Sequence, residues 1–159
     1  MSVNKFQPHV LVLPEDDANR ELANGFLLDP SLRVRNIQLL PEVGGWTKVI
    51  ERFTLDHVAQ MDRIPERRLV LLIDLDGDKD RVTTAKAAIP ERLSDRVFVL
   101  GVFTEPEDLR ADLGTYEKIG LGIAADCREG TDTTWGHKLL RHNEGELARL
   151  RQKVLPILF

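Results

Sequence analysis

Four aspartates spaced two apart, Asp74, Asp76, Asp78 and Asp80, follow directly on an apolar run in the stretch LVLLIDLDGDKDR, residues 69–81. A second acidic group, Glu15, Asp16 and Asp17, follows the run HVLVLP at 9–14. Carboxylates held within a few ångströms of one another repel unless they are protonated or bridged by a cation. Mg²⁺ suits such a place, because it takes an octahedral oxygen shell through one or two carboxylates and leaves positions for water and phosphate oxygens. The chemistry this predicts is metal-assisted attack on a phosphodiester, in which the ion neutralises developing charge and activates water. The bland alternative is a solvated Asp-Gly turn, a common way to leave a strand.

The elements that must position these acids alternate in type. HVLVLP reads as a first strand ending at Pro14, and EDDANRELANGFLL as a helix with acids in its first turn. RVRNIQLL (33–40) reads as a second strand, PEVGG as a loop, and WTKVIERFTLDHVAQM as a helix with Trp46, Val49, Ile50 and Phe53 at helical spacing. RLVLLIDLD is a third strand whose unbroken apolar run predicts burial on both faces, as in a parallel sheet. A helix over DRVTTAKAAIPERL is interrupted late by Pro90, and RVFVLGVF (96–103) is a fourth strand. Thr104 is the expected N-cap of a helix ending at Gly114. TYEKIGLGIAADCREG reads equally as helix, loop or last short strand. The terminal helix carries Leu147, Leu150, Val154 and Leu158 as its apolar stripe, with Pro156 near its end.

Strands alternating with helices predict a three-layer, Rossmann-like α/β fold with a mostly parallel sheet. Such sheets build their sites at the carboxyl ends of the strands, where both acidic groups fall. On an extended backbone residues two apart share a face, so Asp74 and Asp76 are expected to point together.

The 159 residues suit one domain, 1–159, with a core over about 8–115 and a helical C-terminal extension over about 116–159. A net charge of −4 argues against bulk, charge-driven nucleic-acid binding but leaves room for a local basic groove. The lone Cys127 excludes an internal disulfide. No stretch reaches the roughly 20 apolar residues of a membrane span. A cytoplasmic protein is expected, with no membrane partner.

Named metal and phosphate motifs discriminate further. An EF-hand loop counted from Asp74 needs Gly at its sixth position and Glu at its twelfth, where Lys79 and Ala85 stand. IDLDGD is similar to the nucleophile loop of haloacid-dehalogenase-type phosphatases, but it lies mid-chain and no later paired-Asp motif follows. The ordered set HVLVLP-Glu15, PEVGGWTKVIERF, LVLLIDLDGD and RVFVLGVFTEPEDLRADL resembles the Toprim domain, the metal-binding module of primases, topoisomerases and OLD-type nucleases, over residues 8 to 115. The resemblance implies that Asp74 and Asp76 hold Mg²⁺ or Mn²⁺, with Asp78 an auxiliary ligand. It implies that Glu15 is the general base or acid, or a further metal contact through water. Toprim sequences place Gly directly after that glutamate; here Asp16 stands there. The implied activity is Mg²⁺-dependent, nuclease-type hydrolysis of nucleic acid. The departure keeps open a non-catalytic Toprim-like accessory that works through a protein partner in a defence or repair system.

Response-regulator receivers offer a weaker resemblance through VLVLPEDDANRELANGFL, with Asp74 as phosphoacceptor and Thr104 as switch hydroxyl, but no lysine stands where a fifth strand would supply one. Cys127, His137 and His142 offer three zinc ligands at a spacing that fits no template, and surface polar residues are the preferred reading. Lys138, Arg141 and His142, with Arg149, Arg151 and Lys153 beyond, form either a phosphate-facing strip or a solvated helix side, the latter preferred. Arg63, Arg67 and Arg68 precede the third strand and read as structural, and Trp46 as helix-start packing.

Overall fold

The computed structural model describes residues 2–159. Four strands form one sheet: β1 (His9–Pro14), β2 (Ile37–Leu39), β3 (Arg67–Leu72) and β4 (Val97–Leu100). Their order is β2-β1-β3-β4 and every pairing is parallel, with His9 opposite Arg67, Val12 opposite Val70 and Leu71 opposite Val99. Alternation along each strand divides the core in two. Val10, Val12, Val70 and Phe98 face one helix layer, which holds α1 (Asp17–Leu27), α6 (Tyr116–Glu129) and α7 (Glu144–Lys153). Leu11, Leu13, Leu69, Leu71 and Val99 face the other, built from α2 (Trp46–Arg52), α3 (Val58–Arg63) and α4 (Asp80–Ala87). Each fully buried Leu, Met or Phe, such as Leu69, Met61 and Phe53, contributes about 1.5–3 kcal/mol relative to exposure. The fold is a three-layer Rossmann-like α/β sandwich. Among the described residues, no helix is long and apolar enough to cross a membrane.

Residues beyond 115 are part of this core. Leu147, Leu150, Val154 and Leu158 all bury against the layer that holds Val10 and Val12. A four-residue helix, α8 (Leu155–Leu158), accommodates Pro156 in its first turn, where a missing N–H is tolerated.

Several elements differ from expectation. The second strand is three residues long because Val34–Asn36 form a 3₁₀ turn before it. The long helix after the Gly-Gly loop passes through one π-helical turn, Phe53–His57, between α2 and α3. Thr104 does not cap α5 (Pro106–Leu113): Glu105 holds that position without a side-chain cap, and Pro106 begins the helix. The ambiguous segment is helix α6, capped by Thr115, whose hydroxyl accepts from Lys118 N–H at 3.2 Å, and ended by Gly130 in the left-handed region. Its Gly120 suggests loop because glycine weakens helices by about 1 kcal/mol. Packing explains it: a Cβ there would lie 2.2 Å from Leu22 O on α1, so α1 and α6 cross at a distance only glycine permits.

Candidate metal centre

In the order 2-1-3-4 the chain turns to opposite sides after β1 and β3, which makes their junction the topological switch point where such sheets open a crevice. Glu15 and Asp74 lie just beyond the carboxyl ends of these two strands. The ladder continues past Pro14, with Glu15 N–H donating to Leu72 O at 2.9 Å. The Gly44-Gly45 turn, with φ of 90° and 158°, folds back so that both N–H groups donate to Glu15 O, at 2.8 and 3.3 Å. That route would strain any side-chain-bearing residue. The Glu15 carboxylate in turn accepts from Asp74 N–H at 2.6 Å.

Asp16 caps α1, accepting from Asn19 N–H at 3.0 Å, so the positive end of that helix faces the acids. The Asn19 amide is 2% exposed and donates through Nδ2 to Asp16 Oδ1 and to Asp74 Oδ1, both at 2.9 Å. One side chain thus spaces two carboxylates. Oxygens of Glu15, Asp16 and Asp74 all lie within 4.8 Å of one another, and this is the one such group of metal-ligating types among the described residues.

Burial, with Asp16 and Glu15 close by, pushes the Asp74 carboxyl up to about 8, against the pull of the Asn19 hydrogen bond. Burial also raises Glu15, opposed by the Asp74 N–H. These surroundings favour the protonated form of Asp74 near neutrality. A hard divalent cation can take that proton's place, and an all-oxygen donor set suits Mg²⁺ or Mn²⁺.

Asp76 and Asp78 are not brought into this group. The chain leaves extended geometry at Asp76, whose φ of 49° breaks the two-residue alternation. Its carboxylate is 73% exposed and lies 3.5 Å from Arg81. Asp78 is exposed and accepts from the N–H of Asp80, the first residue of α4, at 2.9 Å. Asp17 is exposed and pairs with Arg20. Two contributors went unread in the sequence, Asn19 and Arg81. Asn19 carried a signal, the Asp-x-x-Asn spacing of a capped helix start, but nothing local tells that its amide reaches Asp74. Arg81 donates to Asp74 O at 2.9 Å and stacks over the Trp46 ring with its guanidinium carbon 5.0 Å from the centroid. Trp46 does open α2, as expected. At the mouth, Glu105 is raised by like charges, Glu107 first, with Asp76 and Asp16 among them.

Cys127, His137 and His142 form no metal-ligating group. Burial pushes the Cys127 thiol up to about 11, His137 bonds Asp112 at 2.9 Å, and His142 stacks edge-on against Phe103. Arg149 and Arg151, for which a solvated helix side is the preferred reading over a phosphate-facing strip, pair with Glu146 and Asp132. The chain matches no protein-family model, no curated protein and no solved structure.

Proposed function

We propose that the chain is a Toprim-like domain that binds Mg²⁺ or Mn²⁺ at the β1–β3 junction and performs phosphodiester hydrolysis on nucleic acid. The observation that carries this reading is the convergence of Glu15, Asp16 and Asp74 within 4.8 Å at the switch point, with Asp74 held protonated near neutrality. Bound there, a divalent cation supplies charge neutralisation on a phosphate and a more acidic water. The chain's own residues do the rest. Asn19 fixes the separation of Asp16 and Asp74. Glu15 accepts from Asp74 N–H through Oε2 and is the proton acceptor or a further ligand. Arg81 and exposed Lys79 offer positive charge beside the acids, where a phosphate backbone would lie.

Calorimetric titration of Mg²⁺ and Mn²⁺ is the direct test. Saturable binding that disappears in Asp74→Asn, followed by metal-dependent cleavage of DNA or RNA, is the expected result. Absence of binding by the wild-type protein, alone and with nucleic acid, sinks the metal reading. Binding without cleavage on any nucleic acid turns the proposal to the non-catalytic accessory, in which the acids are a regulatory or assembly site for a protein partner.

One observation favours a second reading. Thr104, directly beyond β4, has a buried Oγ1 with no hydrogen-bond partner, where a receiver would place its switch hydroxyl. Incubation with beryllofluoride or acetyl phosphate decides it, since modification at Asp74 is expected of a phosphoacceptor and not of a nuclease.

A further inference from the structure

The helix layer formed by α1, α6 and α7 does not close fully on the sheet. Because Gly25 and Gly120 let α1 and α6 pack tightly on each other, α6 rests chiefly on α1 rather than on the strands. The space left beneath is a cavity of about 130 Å³. Val12, Val70 and Leu100 form its floor, and Leu22, Phe26 and Leu150 its roof. Protein interiors rarely keep voids larger than a water molecule, so a gap of this size stands out.

Its wall offers almost nothing polar. Two amides border it, both engaged elsewhere, and the Trp135 indole N–H is a single buried donor without a hydrogen-bond partner. Asn19 is held by Asp16 and Asp74. Asn143 accepts from Gly101 N–H and donates to Gly101 O and Leu140 O. Water needs two to four polar partners to stay in a cavity, and apolar cavities on the order of 150 Å³ remain dry and admit a benzene-sized guest. A charged guest would meet no counter-ion and would lose its hydration uncompensated. The Cys127 thiol on the wall is kept protonated by the same surroundings.

We infer that this cavity is a binding site for a small uncharged apolar molecule, an aromatic ring or short hydrocarbon of about six to eight non-hydrogen atoms. The site lies in the interior of the fold and does not depend on the metal reading.

Benzene, iodobenzene and benzoate are the probes, used on the full chain. Trp135 lines the cavity, and Trp46 is removed from the signal by Trp46→Phe. Saturating benzene is expected to raise the thermal midpoint of the wild-type protein by about 3 °C. Iodobenzene is expected to quench Trp135 fluorescence through heavy-atom contact. Benzoate, the same ring with a charge, should do neither. Ala23→Leu and Cys127→Leu each place a larger side chain into the space, and either folded variant should lose both responses. The inference is overturned if saturating benzene leaves the wild-type midpoint and Trp135 emission unchanged. It is also overturned if benzoate acts as benzene does, or if the responses persist in a folded filled variant, since the probe then sits elsewhere.

Discussion

The two ends of the β1–β3 pair are equally buried and differ in how their polar groups are matched. At the amino end His9 lies opposite Arg67, at 1% and 8% exposure. Arg67 Nε donates to His9 Nε2 at 3.0 Å, His9 Nδ1 donates to Gln7 O at 2.7 Å, and Arg67 Nη1 reaches Gln60 at 2.9 Å. One cation meets neutral acceptors, and burial holds His9 below its usual value, so it stays neutral. At the carboxyl end Glu15 and Asp74, at 9% and 8% exposure, are both raised by burial and then by Asp16, and Glu15 adds to the rise of Asp74. One end is satisfied as it stands; the other is stable only with a proton or a cation between its acids. Strongly shifted carboxyls of this kind concentrate at functional sites.

The contrast breaks most sharply under paired substitutions. Asp74→Asn keeps an oxygen for Asn19 to donate to, so the fold should survive while divalent-cation affinity falls by about a hundredfold or more. Arg67→Ala should do the reverse. It strands buried His9 Nε2, frees half-buried Gln60, and should cost about 2–3 kcal/mol of stability, read by urea unfolding, with metal affinity unchanged. If Arg67→Ala weakens metal binding as much as Asp74→Asn does, the two ends are not separable. Asn19→Ala sharpens the comparison from inside the site. It touches no ion itself but frees Asp16 and Asp74 to move apart, and a tenfold loss of affinity by calorimetry is expected.

How far these ends could be read from the chain follows from the range of the forces involved. The alternation of apolar runs and amphipathic segments is local, and it carries the layered architecture, the parallel sheet and the buried stripe at Leu147, Leu150, Val154 and Leu158. The carboxyl-end location of Glu15 and Asp74 follows from the same pattern. The membership of the acidic group does not. Asp76 belongs with Asp74 on an ideal strand, and a left-handed backbone at Asp76 separates them. Asp16 looks like one of three competing acids until the helix start turns it inward as a cap. The segment around Gly120 stays ambiguous because the reason for that glycine, the Leu22 carbonyl of α1, is nearly a hundred residues away. Long-range contacts of this kind leave no periodic trace. Arg67 was legible as structural, but not that it opens β3 rather than preceding it, nor that its partner is His9.

The smallest effect is the one that separates the ends by pH. Asp74 has a folded pKa near 8, above its unfolded value near 4, so the folded protein holds the extra proton between those limits. Stability from this group is full below pH 4 and is lost as pH rises toward and through 8. His9 has the opposite sign. Its folded pKa lies below its unfolded value, so its contribution is present above pH 6.5 and is lost as pH falls through the folded pKa. The wild-type stability curve should therefore fall on both sides, for reasons at opposite ends of the same two strands. Asp74→Asn should flatten the alkaline limb, making the metal-free protein more stable at pH 9 by about 1–2 kcal/mol once solvent screening of the part-exposed site is allowed for. His9→Gln should flatten the acid limb by less, because His57 and His142, also lowered by burial, share it. Saturating Mg²⁺ should flatten the alkaline limb of the wild type just as the Asn substitution does, by replacing the proton between Asp74 and its neighbours, and leave the acid limb unchanged. An alkaline limb that persists in Asp74→Asn would show that the carboxyl end is not the frustrated one.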